Sequence, residues 1–141
     1  MKCRISRRLL DRLQAQSAAA GGREICGLLL GEEGRIDEAL AVPNIAADPE
    51  RAFELDPAVH LRRSREARQA GSRVIGHYHS HPGGSPMPSA IDAARADVEG
   101  AYWLILTGDA CGLWIARKGG EWEGAFDRIE LELSETTALQ P

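Results

Sequence analysis

Apolar residues recur along this chain in two rhythms, and the switches between them set out an order of elements. Lys2–Ile5 reads as a short strand. Ser6 then offers a capping hydroxyl ahead of Leu9, Leu10 and Leu13, which share one face of a helix running to about Ala20 and stopped by Gly21-Gly22. Glu24–Leu30 is mostly apolar, as expected of a strand buried on both faces. Arg35–Val42 follows beyond a charged Gly31–Gly34 turn, so the two read as a hairpin. Pro43-Asn44 and Asp48-Pro49 mark a loop, with a short strand expected at Ala52–Leu55. Asp56-Pro57 supplies a capping side chain and a proline for the first helical position, opening a helix that ends near Gly71.

Val74–His79 reads as a further strand and leads into a glycine- and proline-rich loop from His81 to Pro88. A third helix is expected from about Ser89 through Asp97. Tyr102–Thr107, Cys111–Arg117 and Trp122–Phe126 then read as a meander around Gly108-Asp109 and Gly119-Gly120 turns, with Ile129–Leu133 extending its last strand. The expectation is one α/β (α+β) domain over residues 1–133 and a flexible tail at 134–141; the pattern leaves the strand order open.

Composition narrows the class. At 141 residues the chain has the length of one domain, and its 43% hydrophobic and 27% charged content suits a soluble globular protein. A net charge of −4 argues against a nucleic-acid partner. No apolar run approaches the roughly 20 residues needed to cross a bilayer. The polar start, Met1 to Arg8, lacks the apolar core of a signal peptide, so a cytoplasmic location is expected. Cys3, Cys26 and Cys111 are odd in number and lack CxxC spacing, which reads as small core residues rather than a disulfide framework or zinc ribbon. The second helix carries Arg62, Arg63, Arg65 and Arg68. That run is either a patch for an acidic partner or, because Glu66 interrupts it, simply a solvated face.

The candidate chemistry lies in Gly76-His77-Tyr78-His79-Ser80-His81-Pro82. Residues two apart in a strand share a face, so either adjacent pair of these histidines can grip one ion. Asp92, eleven residues beyond His81, stands at the start of a helix that the intervening loop can fold back toward the strand end. Two imidazoles and a carboxylate are a usual set for catalytic zinc, leaving a fourth position for water. No other carboxylate lies within that spacing, so a general base must come from elsewhere. Glu24 is the best candidate, because a carboxylate at the edge of a buried strand needs a partner. Ser89 could donate to a developing oxyanion. Each residue also has a plainer role: Ser89 and Asp92 as a capping box, Glu24 as a strand-end charge, His77 as a packed strand residue and His60 as a surface residue.

Taken together, Glu24 with Ile25-Cys26-Gly27-Leu28-Leu29-Leu30-Gly31, then Gly-His-Tyr-His-Ser-His-Pro, then Ser89-x-x-Asp92, resembles the JAMM metallopeptidases of the MPN domain superfamily, compact prokaryotic type, over roughly residues 1–130. The resemblance implies a curved mixed β-sheet flanked by about three helices, of the cytidine-deaminase-like kind. It implies one zinc per chain held by His79, His81 and Asp92, with Glu24 holding the catalytic water and Ser89 stabilising the transition state. His77 departs from the family, where Trp or Phe is frequent, and leaves an alternative histidine pair open. The implied activity is cleavage after the C-terminal Gly-Gly of a ubiquitin-like or sulfur-carrier β-grasp protein. Related domains also act on phage-tail or cell-wall peptides, or serve as metal-free scaffolds; scaffolds usually lose a motif residue, and none is lost here.

Overall fold

In the computed structural model, which describes residues 1–135, the elements follow in the order β1 (Lys2–Ser6), α1 (Arg7–Ala19), β2 (Cys26–Glu32), β3 (Arg35–Val42), α2 (Pro57–Gln69), β4 (Val74–Ser80), α3 (Ala90–Ala94), β5 (Tyr102–Leu106), β6 (Cys111–Ala116) and β7 (Phe126–Ser134). The strands join edge to edge as β1-β3-β2-β4-β5-β6-β7, and the sheet curves until it closes on itself. β1 makes the closure, lying parallel to both β3 and β7. β4 and β5 are also parallel, while the other neighbours are antiparallel, so the sheet is mixed.

The two faces of the strands feed two cores. Leu9, Leu10 and Leu13 of α1 pack with Tyr78, Leu104 and Leu113, each buried leucine contributing roughly 1.5–3 kcal/mol. The Ser6 hydroxyl caps this helix by accepting from the Leu9 N–H at 3.0 Å. The second cluster holds Cys26, Trp103, Ile105, Trp114 and Phe126, joined by Phe53 from the loop after β3. Alternation along β4 sends Tyr78 to the first cluster and turns His77 and His79 toward the second. The strands approach closely around the histidine motif. A Cβ at Gly76 would lie 2.0 Å from the Tyr102 carbonyl oxygen, and one at Gly27 would lie 2.5 Å from the Tyr78 hydroxyl.

Several expectations are corrected. Ala52–Leu55 is not a strand: it contributes one bridge, Asn44 to Leu55, because the Asn44 side chain occupies backbone groups that a ladder would need. α3 stops at Ala94 rather than Asp97, since the Arg95 and Asp97 amides turn back to the Asp92 and Arg95 carbonyls. Trp122–Phe126 is a turn, tied by the Ala125 N–H to the Trp122 carbonyl, and Gly124 takes φ 67° there. β7 begins at Phe126 and includes Ser134, which the expected tail had claimed; residues 136–141 lie outside the described residues. Glu24 stands two residues before β2 instead of opening it. All three cysteines are free, Cys3 and Cys26 buried. No described helix is long and apolar enough to cross a membrane.

Candidate metal centre

β4 delivers His79 from its penultimate position, and His81 follows one residue past its end. The loop that comes next is pinned to the barrel by two indole groups, Trp114 Nε1–H to the Pro86 carbonyl and Trp122 Nε1–H to the Pro88 carbonyl, both at 3.0 Å. That fixes where α3 begins. Ser89 caps it: the Ser89 oxygen accepts from the Asp92 N–H at 3.0 Å, and Asp92 Oδ2 accepts from the Ser89 N–H at 2.9 Å. The capping box therefore orients Asp92 instead of competing with a second role for it.

The same Oδ2 lies 3.4 Å from His79 Nε2 and 3.2 Å from His81 Nε2, and the two nitrogens are 3.0 Å apart. Donors around a tetrahedral zinc with bonds of 2.0–2.1 Å stand about 3.3 Å apart, so this nearly equilateral triangle fits one such ion. Its chemistry fits as well. Burial lowers the pKa of His79, which keeps its imidazole neutral. Burial would raise the Asp92 carboxyl, yet hydrogen bonds with His79 and His81 hold it well below the ordinary carboxylate range. His81 Nδ1 lies 3.0 Å from the Ser85 carbonyl, which can only accept, so Nδ1 carries one proton; against burial, Asp92 raises the His81 pKa by favouring a second proton on Nε2, the place a metal ion would take. Lone pairs converging at this range call for a shared proton or cation between them.

Glu24 is buried beside the triangle, its carboxylate within 4.8 Å of donor atoms of His79 and His81. The carboxylate therefore faces the same point as the two imidazoles, close enough to act on an ion held there or on its water. Its backbone is held on three sides: the N–H donates to the Pro49 carbonyl at 2.7 Å, the carbonyl accepts from Asn44 Nδ2 at 2.9 Å, and the next amide, of Ile25, donates to Ser80 Oγ at 2.9 Å. Burial pushes the Glu24 carboxyl up to about 7, against the pull of His81 and Arg95. A cleft of about 290 Å³ opens over these groups, lined by Glu24, His81, Ser89, Asp92, Phe53 and Arg95 among others.

His77 is not part of the triangle. Its ring packs edge-on against Trp103 with centroids 4.2 Å apart, its Nδ1 is buried without a partner, and burial lowers its pKa to about 3. His60, expected at the surface, is half-buried and lines a neighbouring cavity of about 530 Å³ together with His77.

Three positioning residues escaped the sequence reading. Phe53 stacks on the His79 imidazole, centroids 4.2 Å apart and planes 21° off parallel. Arg95 hydrogen-bonds the Phe53 carbonyl and borders both cavities. Asn44, read only as a loop marker, ties the loop carrying Phe53 to Glu24. The one signal in the sequence was Arg95's place three residues after Asp92.

Several known proteins are similar to this chain. A Haloferax volcanii protein named Desampylase is 39% identical over 99 residues, covering 67% of this chain and 71% of its own. A Thermus thermophilus protein named Probable TtuB-protein conjugate cleaving protease is 28% identical over 103 residues, 73% of this chain and 69% of its own. The crystal structure of a JAB1/MPN domain protein from Archaeoglobus fulgidus shares the fold at a TM-score of 0.63 and 23% identity, covering 94% of this chain and 98% of that one. Residues 6–123, which carry every side chain of the centre, match the family described as prokaryotic homologs of the JAB domain, and this chain belongs to it.

Proposed function

We propose that this chain is a zinc-dependent peptidase that hydrolyses the bond after the C-terminal Gly-Gly of a ubiquitin-like or sulfur-carrier β-grasp protein. The observation that carries this reading is the triangle of His79 Nε2, His81 Nε2 and Asp92 Oδ2 with one buried carboxylate standing just outside it. The names of the Haloferax and Thermus relatives support the substrate class.

His79, His81 and Asp92 would hold the ion, and zinc bound there supplies Lewis acidity that polarises a carbonyl and acidifies water. Glu24, a buried carboxylate facing the two imidazoles, is placed to accept a proton from water and pass it to the leaving amine. The Ser89 oxygen already accepts from the Asp92 amide, so its own hydrogen remains to stabilise an oxyanion. A Gly-Gly segment has no side chains and suits a cleft of about 290 Å³ whose lining includes Glu50–Phe53, Pro82 and Gly84.

The test is mass spectrometry of β-grasp carriers extended beyond Gly-Gly, incubated with wild type and with Glu24→Gln. Wild type should cut directly after the second glycine and the variant should not. Equal cutting of unrelated unfolded peptides would instead mark a general peptidase.

A further inference from the structure

The cavity of about 530 Å³ next to the metal cleft holds none of the groups that form the metal centre. The inner part of its lining comes from the sheet. Leu28 of β2, Trp103 of β5 and Ile115 of β6 are buried there, and Ile75 and His77 of β4 are half-buried beside them. The outer part is exposed and charged, with Glu33, Asp97 and Glu99 set against Arg73 and Arg95. An apolar floor with a few placed polar groups, in a volume of roughly 300–1,000 Å³, is the usual form of a small-molecule site.

His77 is the polar group that this floor does not account for. Its Nδ1 is sealed from solvent without a partner, and no described group hydrogen-bonds its Nε2. Only Nδ1 is sealed, so Nε2 is the nitrogen left open on the cavity that the ring lines. Packing holds the ring in place: it stands edge-on to Trp103 with centroids 4.2 Å apart, and tilted against Phe53 at 5.6 Å. A polar atom fixed among apolar neighbours without a hydrogen bond weakens the fold unless something else supplies the bond.

We propose that this cavity binds a small hydroxyaromatic amine. Its ring would lie over Trp103 and the aliphatic floor, its hydroxyl would meet His77 Nε2, and its ammonium would stay at the rim. A hydroxyl both donates and accepts, so it suits either tautomer of the imidazole. Three carboxylates against two guanidinium groups favour a cation over an anion at the rim, on a chain whose net charge is −4. The site is separate from the metal centre and does not depend on what that centre cleaves.

The experiment titrates the full-length, ¹⁵N-labelled protein with tyramine and follows its amide and indole signals. Saturable shifts are expected at Gly76, Ala101 and the Trp103 indole N–H, which line the cavity, and not at Glu24 or His81. Phenethylamine, which lacks the hydroxyl, should bind about threefold to tenfold more weakly, the worth of one hydrogen bond. 4-Hydroxyphenylacetate, which reverses the charge, should also bind more weakly, by a margin that added salt narrows. His77→Phe should bind tyramine and phenethylamine alike while keeping phenethylamine at its wild-type affinity, which shows that the cavity is intact. Asp97→Lys alters an exposed rim residue with little risk to the fold, and it should shrink the preference for tyramine over 4-hydroxyphenylacetate. Equal wild-type affinities for tyramine and phenethylamine would overturn the proposal, as would a preference that survives His77→Phe or Asp97→Lys. Shifts confined to the metal cleft, or none up to the solubility limit of tyramine, would overturn it as well.

Discussion

Replacing Asn44 with alanine tests how the floor of the cleft is held. Its Nδ2 donates to the Glu24 carbonyl at 2.9 Å and the Ala52 carbonyl at 3.1 Å, while its Oδ1 accepts from the Ala46 and Glu54 amides, both at 3.0 Å. Two donor hydrogens and two lone pairs are thereby all in use. A protein hydrogen bond contributes about 0.5–1.5 kcal/mol net, and the Glu54 end of this set is open to water, so the loss should be about 2–4 kcal/mol rather than the full sum. The damage is not only to stability. Asn44 links the loop bearing Phe53, which stacks on His79, to the backbone of Glu24. Urea denaturation should therefore show a lower midpoint with an unchanged slope, and kcat/KM should fall. Hydrogen exchange at the Ala46 and Glu54 amides should quicken more than at strand amides. Asn44→Asp keeps the acceptor and loses both donors, so it should fall between alanine and wild type. A variant within about 0.5 kcal/mol of wild type, with kcat/KM intact, would refute the reasoning, since that is the range of an ordinary surface substitution.

Protein purified without chelator should carry one zinc per chain by metal analysis, and His79→Ala, His81→Ala and Asp92→Ala should each lose it. His77→Ala should keep it, because that ring is turned onto Trp103; loss by His77→Ala with retention by His81→Ala would reverse the ligand pair. Glu24→Gln should retain zinc yet lose turnover, and Ser89→Ala should slow kcat by about 10²–10³, the usual effect of deleting one oxyanion donor. In protein stripped of metal, burial raises the Glu24 carboxyl from 4.5 to about 7. The folded state then holds that proton more tightly than the unfolded chain, so the stability it confers is full below pH 4.5 and lost as pH rises through 7. Thermal melts across that window should show a slope that Glu24→Gln flattens. Gly76→Ala places a methyl 2.0 Å from the Tyr102 carbonyl oxygen and should destabilise by about 3 kcal/mol or more; a soluble variant melting near wild type would mean that β4 and β5 can part without cost.

Local chemistry was legible in the sequence and long-range pairing was not. The α1 leucines, the buried β2 and the capping signals at Ser6 and Asp56 each depend on neighbours a few residues away; the two helices stand where periodicity put them, and β2 is displaced by only two residues. His79, His81 and Asp92 are close enough along the chain for motif spacing to speak. Lys2 and Glu130 are not, and nothing in the alternation of either strand names the other as partner. Ala52–Leu55 has the composition of a strand but no partner edge beyond one bridge, a fact that only the folded loop reveals. Phe53 acts through stacking and Arg95 through a carbonyl contact across 42 residues; Phe53 leaves no trace in spacing, and Arg95 only its place three residues after Asp92.

The parallel closure of the ring has a consequence for how copies of this chain meet before folding is complete. β1 leaves the ribosome first and β7 last, and no tight turn can join parallel strands, so Lys2–Ser6 must wait for Glu130–Ser134. Every side chain of the candidate site is synthesised in between. Until β7 arrives, β1 presents an unpaired flank to any β7 at hand, including one from a neighbouring nascent chain. Exchange of that single strand would give an intertwined dimer with two complete copies of the candidate site, so a slow-forming dimer at high expression would be a by-product of the closure.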